Sequence, residues 1–323
     1  MFVSNKIIID MDSTFELKKN NYQPNSLTLS RQEWGVNERK ILGLLINQLD
    51  FNRDYDPEKS HIFKLPIQEV AKYVDYKYMK ASLDNLQSCK IQVFNKEKDT
   101  FSSLVLFPEY HYNRDNSGKI EMIVTNSSLV FLLNLGKEYT KYNLDIFLQF
   151  QSVFSQRMYE IVMMELKNNH RKSFEYELDF LQQIFDTKYN NFANFKLRVL
   201  DKARNDFFEK ADLILNYEPA KKKGKKVISI KFMIQTATDV KFEAVEEEMN
   251  DFRKADPNQV VLVAKDIMLR EYKFSREQEF MILNSPDLLT TFVEINSRID
   301  NGLIKIRSSK THYLAKSLGF GKK

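Results

Sequence analysis

The most informative stretch of the sequence is NFANFKLRVLDKARNDFFEKADLILNYEPAKKKGKKVISIKFMIQ, residues 191–235. In its first part, apolar side chains recur every three or four residues, which is the spacing of one buried helix face. That face consists of Phe192, Phe195, Val199, Ala203 and Phe207. The later part alternates like two β-strands, 213–217 and 227–234, joined by five lysines and Gly224, which can take the positive φ of a hairpin bend. The stretch predicts a helix followed by a cationic β-hairpin.

The opposite face of this helix is polar, with Asn194, Arg198, Asp201 and Asn205 on it and Lys202 at its margin. A polar helix beside a cationic hairpin suits duplex DNA. The helix can offer Arg and Asn to base edges in the major groove, while hairpin lysines reach phosphates. This arrangement is a winged helix. The alternative is a solvated helix followed by a hairpin that binds nothing, and the stretch alone leaves both interpretations open.

The charge of the chain is concentrated locally. The whole sequence of 323 residues carries a net charge of only +5, so a nucleic-acid site has to come from clustering rather than from a general excess. Residues 191–235 alone sum to a net charge of +6. The clustering therefore favours the DNA-binding interpretation of this stretch.

The composition points to a cytoplasmic protein. A single cysteine, Cys89, excludes an intramolecular disulfide and fits a reducing compartment. The first residues lack the pattern of a signal peptide, and no apolar run approaches membrane-spanning length. We therefore expect a cytoplasmic protein with no membrane partner.

The order helix, short strand, short helix, longer helix, hairpin occurs twice along the chain. In the first copy a helical pattern starts near Ser30, with Glu38, Arg39 and Lys40 largely off its apolar face, and Ile91–Asn95 takes the slot of Leu213–Tyr217. The further strands of this copy are 62–65, 101–112 and 119–124, and its other helices are 67–74, 77–88 and 127–135. The second copy has helices at 155–167 and 179–185 and a strand at 173–178, before the stretch already described.

We therefore predict an α+β fold with two tandem winged-helix domains and a helical C-terminal extension. The predicted parts are an N-terminal arm at 1–27 with a short strand at Ile7–Ile9, winged-helix domain 1 at 28–138, winged-helix domain 2 at 139–239 and a helical region at 240–323. The helical region has an acidic start at Glu246, Glu247 and Glu248 and a basic end. It is either a small partner-binding domain or helical padding on the second domain.

Motifs for catalysis are missing from the sequence. The four histidines are widely separated and form no HxH or HExxH pair, and there is no GxxxxGK[ST] phosphate loop. We expect no enzymatic activity, no cofactor and no metal site.

Three groups of residues resemble a known family, the replication initiators of iteron-bearing, theta-replicating plasmids (RepB/RepE-like). The family motif S-x-R-x-Y-E is matched by Ser155, Arg157, Tyr159 and Glu160. The family motif F-K-x-R-V-L, followed by Ala and Asn, is matched by residues 195–200, Ala203 and Asn205. The D-L, Tyr, G-[KR]-K-V and F pattern of the family is matched at 212–213, Tyr217, 224–227 and Phe232. The usual E-I-N departs here to Asn205-Asp206-Phe207-Phe208, and residues beyond 240 lie outside the resemblance.

The resemblance implies a function. Such initiators bind directly repeated origin sites, help to open the duplex and recruit host replication proteins. Many also form homodimers, commonly through the first domain, and repress their own promoter. In this chain both winged helices would straddle one repeat on successive major grooves, with most base contacts from the second.

The predicted DNA-binding residues fall into three groups. In the second domain, Arg198, Asn194 and Asn205 suit base edges, while Lys196, Lys202 and the five hairpin lysines suit phosphates. Arg157 matches the family, and could hold either a phosphate or an intramolecular carboxylate. The first domain has analogous candidates. The full set is Asn194, Lys196, Arg198, Lys202, Asn205, Lys221, Lys222, Lys223, Lys225, Lys226, Arg157, Lys77, Lys80, Asn85, Arg114 and Lys119.

Two other functions stay open at this stage. A transcriptional repressor would share the winged helices but need no host replication partner. A protein–protein scaffold would use winged helices as docking modules without DNA.

Overall fold

The computed structural model describes residues 15–51, 55–56, 59–95, 100–112, 118–135, 139–167, 170–189, 191–307 and 309–320. The predicted strand Ile7–Ile9 lies outside these residues. The chain divides into two compact units, Met1–Ile234 and Gln235–Lys323. Each unit is described by itself.

The first half of the larger unit is a mixture of short helices and strands. Its elements are β1 (Asn20–Pro24), α1 (Asn25–Thr28), β2 (Arg31–Gln32), α2 (Val36–Asn47), β3 (His61–Pro66), α3 (Ile67–Ala71), α4 (Tyr76–Ser88), β4 (Ile91–Asn95), β5 (Thr100–Leu104), β6 (Glu109–Tyr112), β7 (Lys119–Val124), α5 (Asn126–Leu133), β8 (Tyr139–Asn143) and α6 (Leu144–Gln149).

The second half has fewer and longer elements. They are α7 (Val153–Lys167), β9 (Ser173–Glu177), α8 (Leu178–Ile184), α9 (Phe192–Phe195), a π-helical turn (Lys196–Leu200), α10 (Asp201–Lys210), β10 (Leu213–Lys223) and β11 (Lys226–Thr236). We call the continuous segment made of α9, the π-helical turn and α10 the 192–210 helix. The hairpin of β10 and β11 is called the wing.

The two halves share one strand order. In the second half the sheet runs β10-β11-β9, so the strand before the helices pairs with the second strand of the hairpin. In the first half the sheet runs β6-β7-β3, which is the same order. The repeated plan predicted from the sequence is therefore present as repeated topology.

One predicted correspondence between the halves is wrong. Ile91–Asn95 does not take the slot of Leu213–Tyr217, because β4 pairs with β2 and β5 in a separate sheet. The equivalent strand is β6. The predicted single strand 101–112 is two strands, β5 and β6, which belong to different sheets: β5 pairs with β4, and β6 pairs with β7.

The last part of the predicted N-terminal arm is a paired strand. β1 pairs antiparallel with β8 over five residues, from Asn20 opposite Asn143 to Pro24 opposite Tyr139. Its polar side chains Asn21 and Gln23 are buried, and their amides are satisfied internally: Asn21 Nδ2 donates to the carbonyl oxygen of Gly43 at 2.7 Å. The polar sequence predicts an arm here, whereas burial is possible because each of these amides has a partner.

A group of buried charges joins α2 to α7. Arg39 Nη2 lies 2.7 Å from Glu160 Oε1, and Arg157 Nη1 lies 3.3 Å from Glu160 Oε2. The prediction that Glu38, Arg39 and Lys40 lie off the apolar face of α2 is wrong, since all three are buried. Burial of Arg39 is tolerated because it is paired with Glu160.

The smaller unit is helical, with α11 (Ala237–Lys254), α12 (Pro257–Glu271), α13 (Arg276–Asn284), α14 (Pro286–Asp300) and α15 (Lys310–Ser317). Pro257 and Pro286 stand at the first position of their helices, as expected for a residue without an N–H to donate. The unit has its own apolar core, centred on the fully buried Ile282, Phe292 and Leu314. A separate core favours the interpretation as a small domain, and partner binding stays a prediction. None of the helices among the described residues has the length and apolarity needed to cross a membrane.

Candidate nucleic-acid interface

The 192–210 helix is anchored by the apolar face that its sequence predicts. Phe195, Val199, Ala203 and Phe207 are fully buried, while Phe192 is half-buried. The helix begins after Asn191, whose side chain accepts a hydrogen bond from the backbone N–H of Asn194 at 2.9 Å. Its opposite face, which carries the predicted base-reading residues, is left open to solvent.

A π-helical turn interrupts this helix at Lys196–Leu200. The wider turn allows the neighbouring residues Val199 and Leu200 both to be fully buried. Leu197 and Phe208 are 66% and 70% exposed, so two apolar side chains lie in solvent on a helix that otherwise shows polar groups there. π-helical turns inside α-helices are frequent at functional sites.

The predicted polar residues of this helix are all exposed: Asn194, Lys196, Arg198, Lys202 and Asn205. Two of the cations have carboxylate partners. Lys196 Nζ lies 3.3 Å from Asp201 Oδ2, and Lys202 Nζ lies 3.3 Å from Asp206 Oδ1. Arg198 makes no hydrogen bond to any side chain among the described residues, so its guanidinium is accessible. Their roles toward DNA stay predictions.

Asp206 attaches the helix to α7. Its carboxylate accepts a hydrogen bond from Ser155 Oγ at 2.5 Å and from Lys210 Nζ at 2.8 Å. Burial alone would raise the pKa of Asp206, but the hydrogen bonds from Lys210 and Ser155 outweigh it and hold the pKa below its ordinary value. The anionic carboxylate thereby holds α10 in one orientation.

The wing is longer than the sequence predicts. β10 and β11 have 11 residues each, so Lys221, Lys222 and Lys223 end one strand, Lys226 begins the next, and only Gly224 and Lys225 form the turn. The positive φ expected for Gly224 is confirmed at +59°. A predicted loop of lysines is thus a strand end, because cross-strand pairing outweighs the low strand propensity of lysine.

All five wing lysines are exposed. β9 pairs with β11 only at Ser229–Met233, so the lysine-bearing end of the wing is a two-stranded ribbon. Lys221 lies 3.0 Å from Glu175, and Lys226 lies 3.9 Å from Asp179. For Lys222, Lys223 and Lys225 the described part of the chain contains no carboxylate within ion-pair distance. The tip of the wing is strongly cationic.

The first winged helix presents a different surface. Lys77, Lys80 and Asn85 are exposed on α4 as predicted, but each has a partner. Lys77 lies 3.3 Å from Asp75, Lys80 lies 3.0 Å from Asp84, and Asn85 Nδ2 donates to Glu38 at 3.0 Å. Lys119 is exposed at the start of β7, and Arg114 lies outside the described residues.

The assignment of Arg157 to DNA binding is wrong. Its side chain is only 2% exposed, and besides Glu160 it contacts the carbonyl oxygen of Ser30, to which Nη2 donates at 2.6 Å. A guanidinium enclosed in this way cannot reach a phosphate. The S-x-R-x-Y-E motif is therefore structural here: Ser155 holds α10, while Arg157 and Glu160 bind the first winged helix.

Sequence reasoning missed one cation on the exposed side of the 192–210 helix. Arg204 Nη2 lies 3.1 Å from Asp201 Oδ1, and its guanidinium carbon lies 5.7 Å from the centre of the Tyr217 ring. The spacing of three residues between Asp201 and Arg204 was a usable signal, because such residues are neighbours on a helix surface.

The strand order, the exposed helix and the wing define a class of protein with two tandem winged-helix domains, as the sequence predicted. Comparison with known families agrees. The family model "Initiator Replication protein, WH1" matches residues 20–163, and "Initiator Rep protein, WH2" matches residues 153–234. The chain therefore belongs to the initiator replication protein family, and the resemblance stated from its motifs is confirmed. Both models describe initiator proteins of replication.

Two individual proteins are similar to this chain. A replication initiation protein of Escherichia coli is 23% identical over 183 residues, which are 54% of this chain and 56% of that protein. The chain thus spans about half the length of this relative. A crystal structure of Pi initiator protein in complex with iteron DNA matches with a TM-score of 0.57 at 18% identity, covering 68% of this chain and 98% of that one. At this identity the likeness shows the fold alone.

Proposed function

We propose that this chain initiates plasmid replication by binding directly repeated origin DNA through its second winged helix. The observation that carries the proposal is the exposed wing of five lysines beside the exposed polar face of the 192–210 helix. Membership of the initiator family and the likeness to an initiator crystallised with iteron DNA support it.

In this proposal the 192–210 helix and the wing make different contacts with DNA. The 192–210 helix would lie in the major groove, where Asn194, Arg198 and Asn205 face the base edges. Lys196 and Lys202 would exchange their carboxylate partners for phosphates at the groove margin. The wing lysines would contact the neighbouring backbone and contribute affinity that depends on salt but not on sequence.

The remaining parts of the proposal concern assembly. The first winged helix would occupy the next major groove with fewer contacts, and would form the homodimer that represses the chain's own promoter. The helical unit Gln235–Lys323 would bind a host replication protein, because it has its own core and lies beyond both family models. The initiator, bound at the origin, would then help to open the DNA duplex.

The test is a footprint of the purified full chain on DNA that carries the region upstream of its own gene. Protection of evenly spaced direct repeats is the expected result. Protection of a single inverted repeat would instead indicate a transcriptional repressor, and binding that is insensitive to salt would indicate a protein scaffold.

Two variants refine the test. Arg198→Ala should weaken binding to the protected site by about 1–3 kcal/mol and relax the preference at one base pair. Removal of residues 240–323 should abolish plasmid replication in cells while leaving the footprint intact. A truncated chain that still supports replication would remove the helical unit from the proposal.

A further inference from the structure

We propose that Arg204 reads a guanine in the recognised DNA sequence, and that Asp201 and Tyr217 are positioning residues that hold its guanidinium for this contact. The inference rests on the proposed function, because it assigns a base-reading role within the same interface. It adds a specificity determinant beyond the residues that the family motifs contain.

The contacts around Arg204 form a closed cluster. Asp201 Oδ1 forms an ion pair with Arg204 Nη2 at 3.1 Å and accepts a hydrogen bond from the hydroxyl of Tyr217, while Lys196 Nζ approaches Oδ2 at 3.3 Å. The guanidinium also lies over the ring of Tyr217. Arg204 thus has an anion beside one nitrogen and an aromatic ring within cation–π distance.

The charge states of the cluster are well defined. Burial raises the pKa of the Tyr217 hydroxyl, and the hydrogen bond to Asp201 raises it further, so the phenol keeps its proton and donates it. Burial would raise the pKa of Asp201, but the hydrogen bonds from Tyr217 and Lys196 hold it below its ordinary value. An anionic Asp201 and a protonated Tyr217 therefore coexist across the physiological range.

This arrangement suits a base better than a phosphate. A phosphate contact needs only a nearby positive charge, which the flexible wing lysines supply. Guanine recognition needs a guanidinium in a set plane, with two donors aimed at O6 and N7. Arg204 Nη2 pairs with Asp201, and the Arg204 side chain is half-exposed, so a base edge can reach the guanidinium. Fixing the side chain beforehand also lowers the entropy lost on binding.

Its position allows Arg204 and Arg198 to read different base pairs. Six residues separate them, or roughly 9 Å along the helix axis. This corresponds to about two to three base-pair steps in B-DNA. Arg204 also lies on the side of the helix that faces β10, between the two parts of the interface, because Tyr217 belongs to that strand.

The experiment measures binding of the full chain to a panel of duplexes in which each base pair of the footprinted site is replaced in turn, at one fixed salt concentration. Arg204→Ala should lose the preference for one G·C pair by about tenfold or more, and leave the other preferences intact. Replacing that guanine by 7-deazaguanine, which lacks the N7 acceptor, should weaken the unmodified protein but not Arg204→Ala.

The positioning roles have their own readout. Asp201→Asn and Tyr217→Phe should both reduce the preference at this same base pair, while binding to unrelated duplex DNA stays unchanged. Lys222→Gln is the matched control: it removes an exposed cation of the wing and should weaken all duplexes alike. Thermal unfolding of each variant identifies any loss caused by misfolding.

Three results would overturn the inference. An Arg204→Ala variant that loses affinity equally for every sequence would make Arg204 a phosphate contact, and an unchanged variant would remove it from the interface. A preference that survives in Asp201→Asn and Tyr217→Phe would refute the positioning roles. If the unmodified chain shows no sequence preference at all, the proposed function itself fails, which is a distinct outcome.

Discussion

The two winged helices have the same strand order but differ in the charge of their surfaces. In the first, Lys77 and Lys80 on α4 are each matched by a carboxylate close in sequence, so the surface is nearly neutral. In the second, five lysines extend on a ribbon, and among the described residues carboxylates lie within ion-pair distance of two of them, Lys221 and Lys226. Two domains can therefore share a topology and still differ in the charge that they present to a ligand. The charge, rather than the fold, marks the second winged helix as the main site for a polyanion.

The largest expected effect comes from breaking the link between the two winged helices. Glu160→Gln would leave Arg39 and Arg157 buried without their anion, which costs about 3–5 kcal/mol of folding free energy. Chemical denaturation of the full chain measures this loss. Glu209→Gln, an exposed change on α10, is the control and should cost less than about 0.5 kcal/mol. Equal free energies of unfolding for Glu160→Gln and Glu209→Gln would mean that the buried ion pairs of Glu160 do not hold the two winged helices together.

The next effect concerns the charge of the wing. Replacing Lys221, Lys222 and Lys223 by Gln should lower duplex affinity roughly 100-fold near physiological salt and reduce the salt slope by about 3, because three phosphate contacts are lost. Affinity measured at several salt concentrations provides both values. A slope as steep as that of the unmodified chain would show that these lysines do not touch phosphate.

A smaller effect tests how the second winged helix holds its exposed helix. Asp206→Asn should cost about 1–3 kcal/mol at neutral pH, since charge-assisted hydrogen bonds from Lys210 and Ser155 are weakened. The pKa of Asp206 is lowered on folding, so its contribution is fully present above the ordinary value of 3.8 and is lost as the pH falls below it.

Unfolding of Asp206→Asn and the unmodified chain should therefore converge as the pH falls below about 4. Glu209→Gln, on the same helix, controls for the general effect of acid. A difference that stays constant from pH 7 to pH 3 would mean that the ionised carboxylate is not the source of the stability.

The smallest effect is expected on the first winged helix. Replacing Lys77 and Lys80 by Gln should change duplex affinity only a few-fold, because both lysines already have carboxylate partners and surface pairs contribute little. The same salt series used for the wing measures it. A loss as large as that of the wing variant would erase the contrast between the two domains.

Local patterns were sufficient for most elements near the site. The apolar spacing of residues 192–207 predicted which side of the helix is buried, and Gly224 predicted the bend of the wing, because both depend on neighbours in sequence. The length of the wing was underestimated because lysine-rich segments have low strand propensity when taken alone.

Features that depend on distant residues could not be predicted. The strand pair β1–β8 joins residues about 120 positions apart, and nothing in the polar sequence of Asn20–Pro24 indicates that partner. Arg157 matched a family motif, yet its burial follows from Glu160 and Ser30 on either side of it. The cluster around Arg204 likewise arises only when α10 packs against β10, which carries Tyr217.

The pairing of β1 with β8 has a consequence for the design of chimaeric proteins. Since Asn20 is opposite Asn143, the chain enters and leaves the first winged helix at adjacent points, about 5 Å apart. A segment whose two ends are neighbours can be exchanged as a unit between related proteins, provided that Arg39 and the residues around it still pack against α7. Chimaeras joined at this strand pair would combine one second winged helix with first winged helices from different relatives.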